Sequence, residues 1–538
     1  MKPRFVHLWF AVALADSSLA PAHDTESQTG PLGKVTFPTS CDPKVQASFE
    51  RAVAMLHSFW YSAGEQAFRD VLKSDPQCAI ATWGIASILM SNPLAGSGAS
   101  PKGAESAQAA IDEGRRIGAK TERERDYIEA VAAYYKDFST RSERDRQLSR
   151  AKAYEALAEK YQTDDEAQIF YALYLAGTQT QADQTYAAYL KAAAILEAEF
   201  KKYPDHPGVA HYLIHSYDFA PLAAMCVSTA QLYDKIAPAS PHALHMPSHI
   251  YSMLGMWEDS VRSNLATKTA ADDYAAKNFP DRTYTIVPHL SDFLAYAYLQ
   301  TAKDREAQQI ADSLPNLKPF LVAQLGIDTA LAAIPARYAL ERDRWDEAAQ
   351  LPVRDSKFPT AQSITYFARA LGAARSGNAA AARAEIAHLD EVEAKLVAAN
   401  DDYWAGQTRI HKQAAAAWVL FAESQRDAAI AAMRKAADLD DASEKNVAME
   451  NKLVPIRALL GELYLSVGMS KEALIEFEAA DKVMPNRFRI VAGAARAARE
   501  SGSVESAKRY YRALTVLAEG GDGVRPEISE ASTYLAQN

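Results

Sequence analysis

Cysteine, glycine and proline are all scarce in this chain. Among 538 residues there are 3 Cys, 23 Gly and 24 Pro. Three cysteines cannot build a disulfide-dense scaffold. So little Gly and Pro excludes a collagen-like or low-complexity chain. Basic residues are outnumbered as well: 58 Lys and Arg against 68 Asp and Glu leave a net charge of −10. Sequence-independent nucleic-acid binding rests on Lys and Arg neutralising phosphates, so no nucleic-acid partner is expected. The chain also lacks a basic patch for anionic lipid. What it has is a 49 % hydrophobic content rich in alanine, the composition of helices packed closely on helices. At roughly 100–200 residues per domain the length allows about three domains or one elongated repeat array.

Residues 1–22 read as a secretory signal. Lys2 and Arg4 form a basic start, Phe5 to Ala15 an apolar run too short to span a bilayer, and Ala20-Pro21-Ala22 an A-x-A cleavage pattern. No later run is long enough for a transmembrane helix, so an exported chain with no membrane insertion after cleavage is expected, periplasmic or secreted. Export permits disulfides. Cys41 precedes the first helix after the leader, and Cys78 follows a helical hairpin that ends at Asp75-Pro76. An antiparallel hairpin brings those two positions side by side, which makes Cys41 and Cys78 eligible to pair. Cys226, inside the apolar LAAMCV segment, reads as a small buried hydrophobe.

A repeat is clearest near the C-terminus. Leu460, Gly461, Tyr464, Ala473, Phe477, Ala480 and Pro485 fall in register on the 34-residue tetratricopeptide (TPR) pattern. Small residues at 461 and 473 let two helices approach, Tyr464 and Phe477 fill the space beside them, and Pro485 ends the second helix. Ala507, Tyr511 and Leu514 repeat the unit more loosely, and similar hairpins recur upstream. Runs of alternating β-branched residues are lacking. The fold predicted is all-α, a TPR-like right-handed helical-hairpin solenoid in which each hairpin buries its face only by stacking. Its expected segments are a leader at 1–22, an N-terminal TPR-like region at 23–320 and C-terminal repeats at 321–538, clearest over 454–521. Irregular stretches at 96–103 and 438–453 interrupt the repeats.

Several segments resemble a bacterial family of exported TPR proteins. They are LHSFWYSA (56–63), DPQCAIATWGIA (75–86), HYLIHSYD (211–218), ASPHALHMPSHIY (239–251) and PNRFRIVAGAARAA (485–498). The resemblance implies a TPR superhelix with a binding or assembly role and carries no stated reaction. One departure is the short loop after HYLIHSYD, which runs straight into Phe219-Ala220-Pro221 where the family suggests a more acidic extension.

Seven of the 12 histidines lie between residues 206 and 289. His211 and His215, four apart, share one helix face. His242, His245 and His249 follow at spacings of three and four, and His289 stands three before Asp292. The intervals from 211 to 249 and from 249 to 289 are 38 and 40 residues, so one histidine recurs per repeat on three neighbouring inner helices. Neighbouring helices pack about 8–10 Å apart, close enough for imidazoles to converge. Imidazole with carboxylate suits Zn, Cu, Fe or Ni. His211, His215, His249, His289 and Asp292 are the candidate ligands of a transition metal, with His242 and His245 as secondary candidates. His57, Tyr212, Tyr217, Asp218 and Tyr251 are candidate lining residues. A metal-free polar groove and a set of structural histidines are the competing readings of the same pattern.

No phosphate-binding glycine loop, nucleophile elbow or HExxH zinc motif is present. Two functions follow: a scaffold binding a protein, peptide or small ligand on its concave face, or a metal-dependent enzyme using the histidine cluster.

Overall fold

The computed structural model describes residues 30–95, 98–446 and 452–538. The expected leader at 1–22 lies outside the described residues, as do parts of the 96–103 and 438–453 stretches. The described residues are overwhelmingly helical, and the one β contact among them is a single bridge between Thr283 and Phe320. No helix among them is long and apolar enough to cross a membrane.

Local chemistry sets the helix ends. Thr121, Ser142 and Asp164 each accept from the backbone N–H three residues on, which satisfies donors that a helix leaves free at its start. Successive helices then pair as hairpins, and every other helix also packs on its neighbour. Leu325–Leu340, for example, lies against Pro359–Arg375, which lies against both Ala379–Ala398 and Asp402–Ala422. This one-and-two-removed contact pattern is that of a solenoid. The TPR register places Ile456–Ser466 and Ser470–Val483 as one hairpin, with Phe477 fully buried. The Phe477 ring fills the space where Gly461 and Gly493 would carry a Cβ. Phe68 does the same to Gly84 in the first repeats.

One large core gathers residues from Leu32 to Val287 and another gathers residues from Ala302 to Ala531. A small cluster built on Trp257, Leu290 and Tyr296 lies between them. The superhelix also returns on itself. Helix Gln46–His57 meets Pro207–Tyr217, and Val287–Gln300 meets Phe488–Glu500. The second closure is polar: Trp257 Nε1 donates to the Asn486 carbonyl (2.8 Å) and Phe488 N–H to Gln300 Oε1 (2.8 Å).

Cys41 and Cys78 form a disulfide across 37 residues, and Cys226 is buried and free. A loop of that length is worth roughly 4 kcal/mol in the chain-entropy account. Thiol titration of the denatured, unreduced chain is expected to find one free cysteine. Gly493→Ala is expected to cost about 1–3 kcal/mol in a denaturant melt by pushing against Phe477, and the same change at the open position Gly377 is a control for helix-end strain rather than packing.

Candidate metal centre

Six histidines converge where four helices meet. His211 and His215 come from Pro207–Tyr217, His242 and His245 from Pro241–His245, His249 from Pro247–Met253 and His289 from Val287–Gln300. Pro247 at the first position of a helix would leave His242 and His245 in the entering turn. They lie instead on a short helix opened by Pro241, with Ser240 accepting from Ala243 N–H at its start. Pro247 begins the next helix, and the His245 and His249 rings meet edge-on with centres 5.0 Å apart.

The six form two triads. In each of the sets His211, His215, His242 and His245, His249, His289, one nitrogen per ring lies within 4.8 Å of the others. His211 Nε2 and His242 Nε2 are 3.2 Å apart, and His245 Nε2 and His249 Nε2 are 3.1 Å apart. Two imidazole nitrogens on one tetrahedral metal at about 2.0–2.1 Å lie about 3.3 Å from each other, so these separations match ligand–ligand edges. Each triad has a phenylalanine wall. Phe59, held in the left-handed region at φ +50°, packs against His211, His215 and His242. Phe293 packs against His245, His249 and His289.

Hydrogen bonds on the far side of the rings set the tautomers. His211 Nδ1 donates to the His57 carbonyl (2.6 Å). Asn264 Nδ2 donates to the Ser260 carbonyl, which turns Asn264 Oδ1 toward His245 and makes His245 Nδ1 the donor (2.7 Å). His249 Nδ1 donates to Asp218 Oδ2 (2.8 Å). Each of these three rings therefore presents an Nε2 lone pair to the interior, the arrangement that outer partners impose on metal-bound histidine. His245 and His249 point two lone pairs at each other, which repel unless a cation lies between them. A proton is a poor candidate. Burial holds His245 down at about 4 and His249 well below the ordinary histidine value. Burial also lowers His211 to about 3 and pushes His215, His242 and His289 well down, with neighbouring imidazoles adding to it. Both ring nitrogens of His215 are buried without a hydrogen-bond partner among the described residues, which is costly for a neutral ring.

A third group, His57, Glu166 and His206, has ligand-like proximity but a different chemistry. His57 Nε2 and His206 Nε2 each donate to Glu166 (2.9 Å and 2.9 Å). Their other nitrogens accept, from Tyr212 OH (2.9 Å) and Val209 N–H (3.3 Å). Every polar atom of those two rings is used, so this group is a buttress that fixes the His57 carbonyl under His211. Tyr212 serves the buttress, and Tyr217 donates to Glu197 (2.6 Å). Tyr251 is buried, and burial pushes its hydroxyl up to about 12. Asp292 joins neither triad. Its carboxylate turns to Arg337 (3.0 Å), although it stands one helical turn from His289.

Lys445 joins the site with no motif or spacing to announce it. Its ammonium reaches Asp218 Oδ2 (2.6 Å) from 227 residues away. Burial raises the Asp218 carboxyl to about 6 against the opposing pull of Lys445. Glu444, next to it, ties the same strand of chain to Gln181 through its backbone N–H (2.9 Å). A cavity of about 580 Å3 opens beside Lys445, lined by Tyr186, Pro221, Met253, Arg457 and Met484 among others. Asn264 reaches His245 from a different helix, Trp257–Asn278, 19 residues along the chain, and no spacing rule ties the two together.

No family model and no curated protein matches the chain. Among solved structures it is similar to the crystal structure of the APC/C hetero-tetramer Cut9–Hcn1, at 11 % identity and a TM-score of 0.28, over 92 % of this chain and 95 % of that one. That likeness adds nothing to the architecture read from the chain itself. The described residues form an all-α, TPR-like helical-hairpin solenoid, and six of its histidines converge where four of its helices meet.

Burial alone would raise the Glu166 carboxyl, but His57 and His206 overcome it and hold it at about 2, below its ordinary 4.5. A depressed carboxyl contributes stability above its unfolded value and loses it as pH falls toward the folded one. The stability gap between the wild type and Glu166→Gln is therefore expected to be full above pH 4.5 and to shrink toward pH 2 in thermal melts.

Proposed function

We propose that this chain is an exported TPR-like scaffold that holds a transition metal on its inner face through the two histidine triads. The observation that carries the reading is the His245–His249 pair: two buried rings, each with Nδ1–H committed outward, and Nε2 atoms 3.1 Å apart. Neutral imidazoles in that pose are a ligand edge waiting for a Lewis acid. Export is supported by the basic and apolar leader pattern at 1–22 and by the Cys41–Cys78 disulfide, which suits an oxidising compartment. The resemblance of the HYLIH and PHALHMPSHI segments to exported bacterial TPR proteins supports the same reading. A protein, peptide or small-molecule partner would sit on the concave surface, and the cavity beside Lys445 is large enough for a small ligand.

A second reading, a metal-dependent enzyme, is favoured by one feature. His242 and His289 are only half-buried, one in each triad, so the chamber has an open side toward solvent. Three ligands and an open position are what catalytic metal sites use.

Purified full-length protein, incubated with transition metal ions and then freed of unbound ions, is expected to retain at least one ion per chain by elemental analysis. The double variant His245→Ala/His249→Ala is expected to lose that metal while keeping its helical circular dichroism. A wild-type chain that folds and retains none under any of the four metals Zn, Cu, Fe and Ni overturns the reading.

A further inference from the structure

We infer that the two triads act as one centre: they hold a pair of copper ions in mutual contact, and the pair takes up dioxygen between them. The inference rests on the metal-holding role proposed above and adds the number, identity and reactivity of the ions.

The number follows from the spacing of the rings. Within the first triad, ring centres lie 4.9 Å (His211–His215), 5.0 Å (His211–His242) and 6.4 Å (His215–His242) apart. Between triads, His215 and His249 are 5.8 Å apart and His242 and His245 are 6.1 Å apart. Within the second triad the ring centres lie 4.6–5.7 Å apart, so the contacts between triads fall inside the 4.6–6.4 Å spread found within them. The short helix Pro241–His245 supplies a ligand to each triad, which ties their positions together. Two ions bound here share one chamber.

The identity follows from charge. The inner donors are six neutral imidazoles, with no carboxylate and no thiolate among them. The nearest carboxylate, Asp218, sits behind His249 and is already paired with the Lys445 ammonium. The protein therefore offers almost no negative charge to offset two close cations. Repulsion between two dications is about fourfold that between two monocations at the same distance. Copper is the first-row metal with a stable monovalent state that accepts three imidazoles, and imidazole-rich sites also favour its divalent state over zinc. Asp292, which could have supplied an anionic ligand, is committed to Arg337.

The reactivity follows from the open side. His242 and His289, the half-buried members, flank the edge of the chamber nearest solvent, while Phe59 and Phe293 close its walls. Each ion keeps a free position there. When dioxygen enters, each Cu(I) gives up one electron and becomes Cu(II). The O–O bond falls from double to single as the molecule gains two electrons, and a copper–oxygen bond forms at each ion. No proton moves and no bond of the protein breaks, so the step balances with dioxygen as the only oxidant.

The test uses the full chain loaded anaerobically with copper alone under ascorbate, then freed of excess copper and reductant. Two coppers per chain are expected. Admitting air should consume one dioxygen per two coppers, develop a new charge-transfer absorption and leave most of the Cu(II) silent in EPR through coupling. His289→Gln should break the coupling and give an EPR-visible Cu(II) signal, with circular dichroism confirming the fold. If that variant does not fold, the spin count of the wild type decides by itself. Two coppers that are fully EPR-visible, a single ion per chain, or zinc retained in preference to copper overturn this inference and leave the metal-holding role standing. A chain that retains no metal overturns both.

Discussion

The carboxylate of Glu166, clamped between His57 and His206, is the contact on which the rest of the chamber depends. It lies where the superhelix folds back and brings helix Gln46–His57 against Pro207–Tyr217. His206 is at once a partner of Glu166 and the cap of the helix that carries His211 and His215. His57 passes the constraint on through its backbone, because its carbonyl fixes the tautomer of His211. One buried ion thus sets a helix start, a ring orientation and the register between two distant turns of the solenoid. Removing such a partner from a buried network leaves polar atoms unpaired in low dielectric, which costs more than the pair itself contributes.

Much of this was legible in the sequence, for identifiable reasons. Phe477 between Gly461 and Gly493 is a local packing rule, and local rules survive in the spacing of residues. The spacing of His211 with His215 puts that pair on a common face by helical geometry alone. The distinction between His57 and the triads was not legible. All are buried histidines near acids or other histidines, and only the partners of each ring nitrogen separate a satisfied ring from an unsatisfied one. Asp292 shows the same limit from the other side. Its position three after His289 suggested a ligand, but Arg337, from the next repeat, reaches it first. Pro247 reads as a helix start that leaves His242 and His245 in a turn, whereas the short helix Pro241–His245 carries one member of each triad.

The electrostatics of the chamber differ from those of the C-terminal half. There, buried arginines meet acids directly: Arg487 with the buried Glu341, Arg525 with the buried Asp304, and Arg489 with the half-buried Glu462 and the exposed Asp343. Those pairs close charge within the protein and leave nothing for a ligand. In the histidine chamber the donors are neutral and their lone pairs converge. The same solenoid therefore carries one interior where guanidinium groups meet carboxylates and another where neutral imidazoles meet one another.

Lys445 has a consequence in time. The six histidines, the Glu166 clamp and Asp218 all lie before residue 290, and they can assemble as soon as that part of the chain has emerged. The ammonium that pairs with Asp218 arrives 227 residues later, on a segment that must fold back across the inner face. Until then Asp218 faces His249 as an uncompensated carboxylate, an added anionic charge beside the imidazoles. The half-made protein is thus electrostatically different around His249 from the finished one, and completion of the chain resets the charge behind that ring.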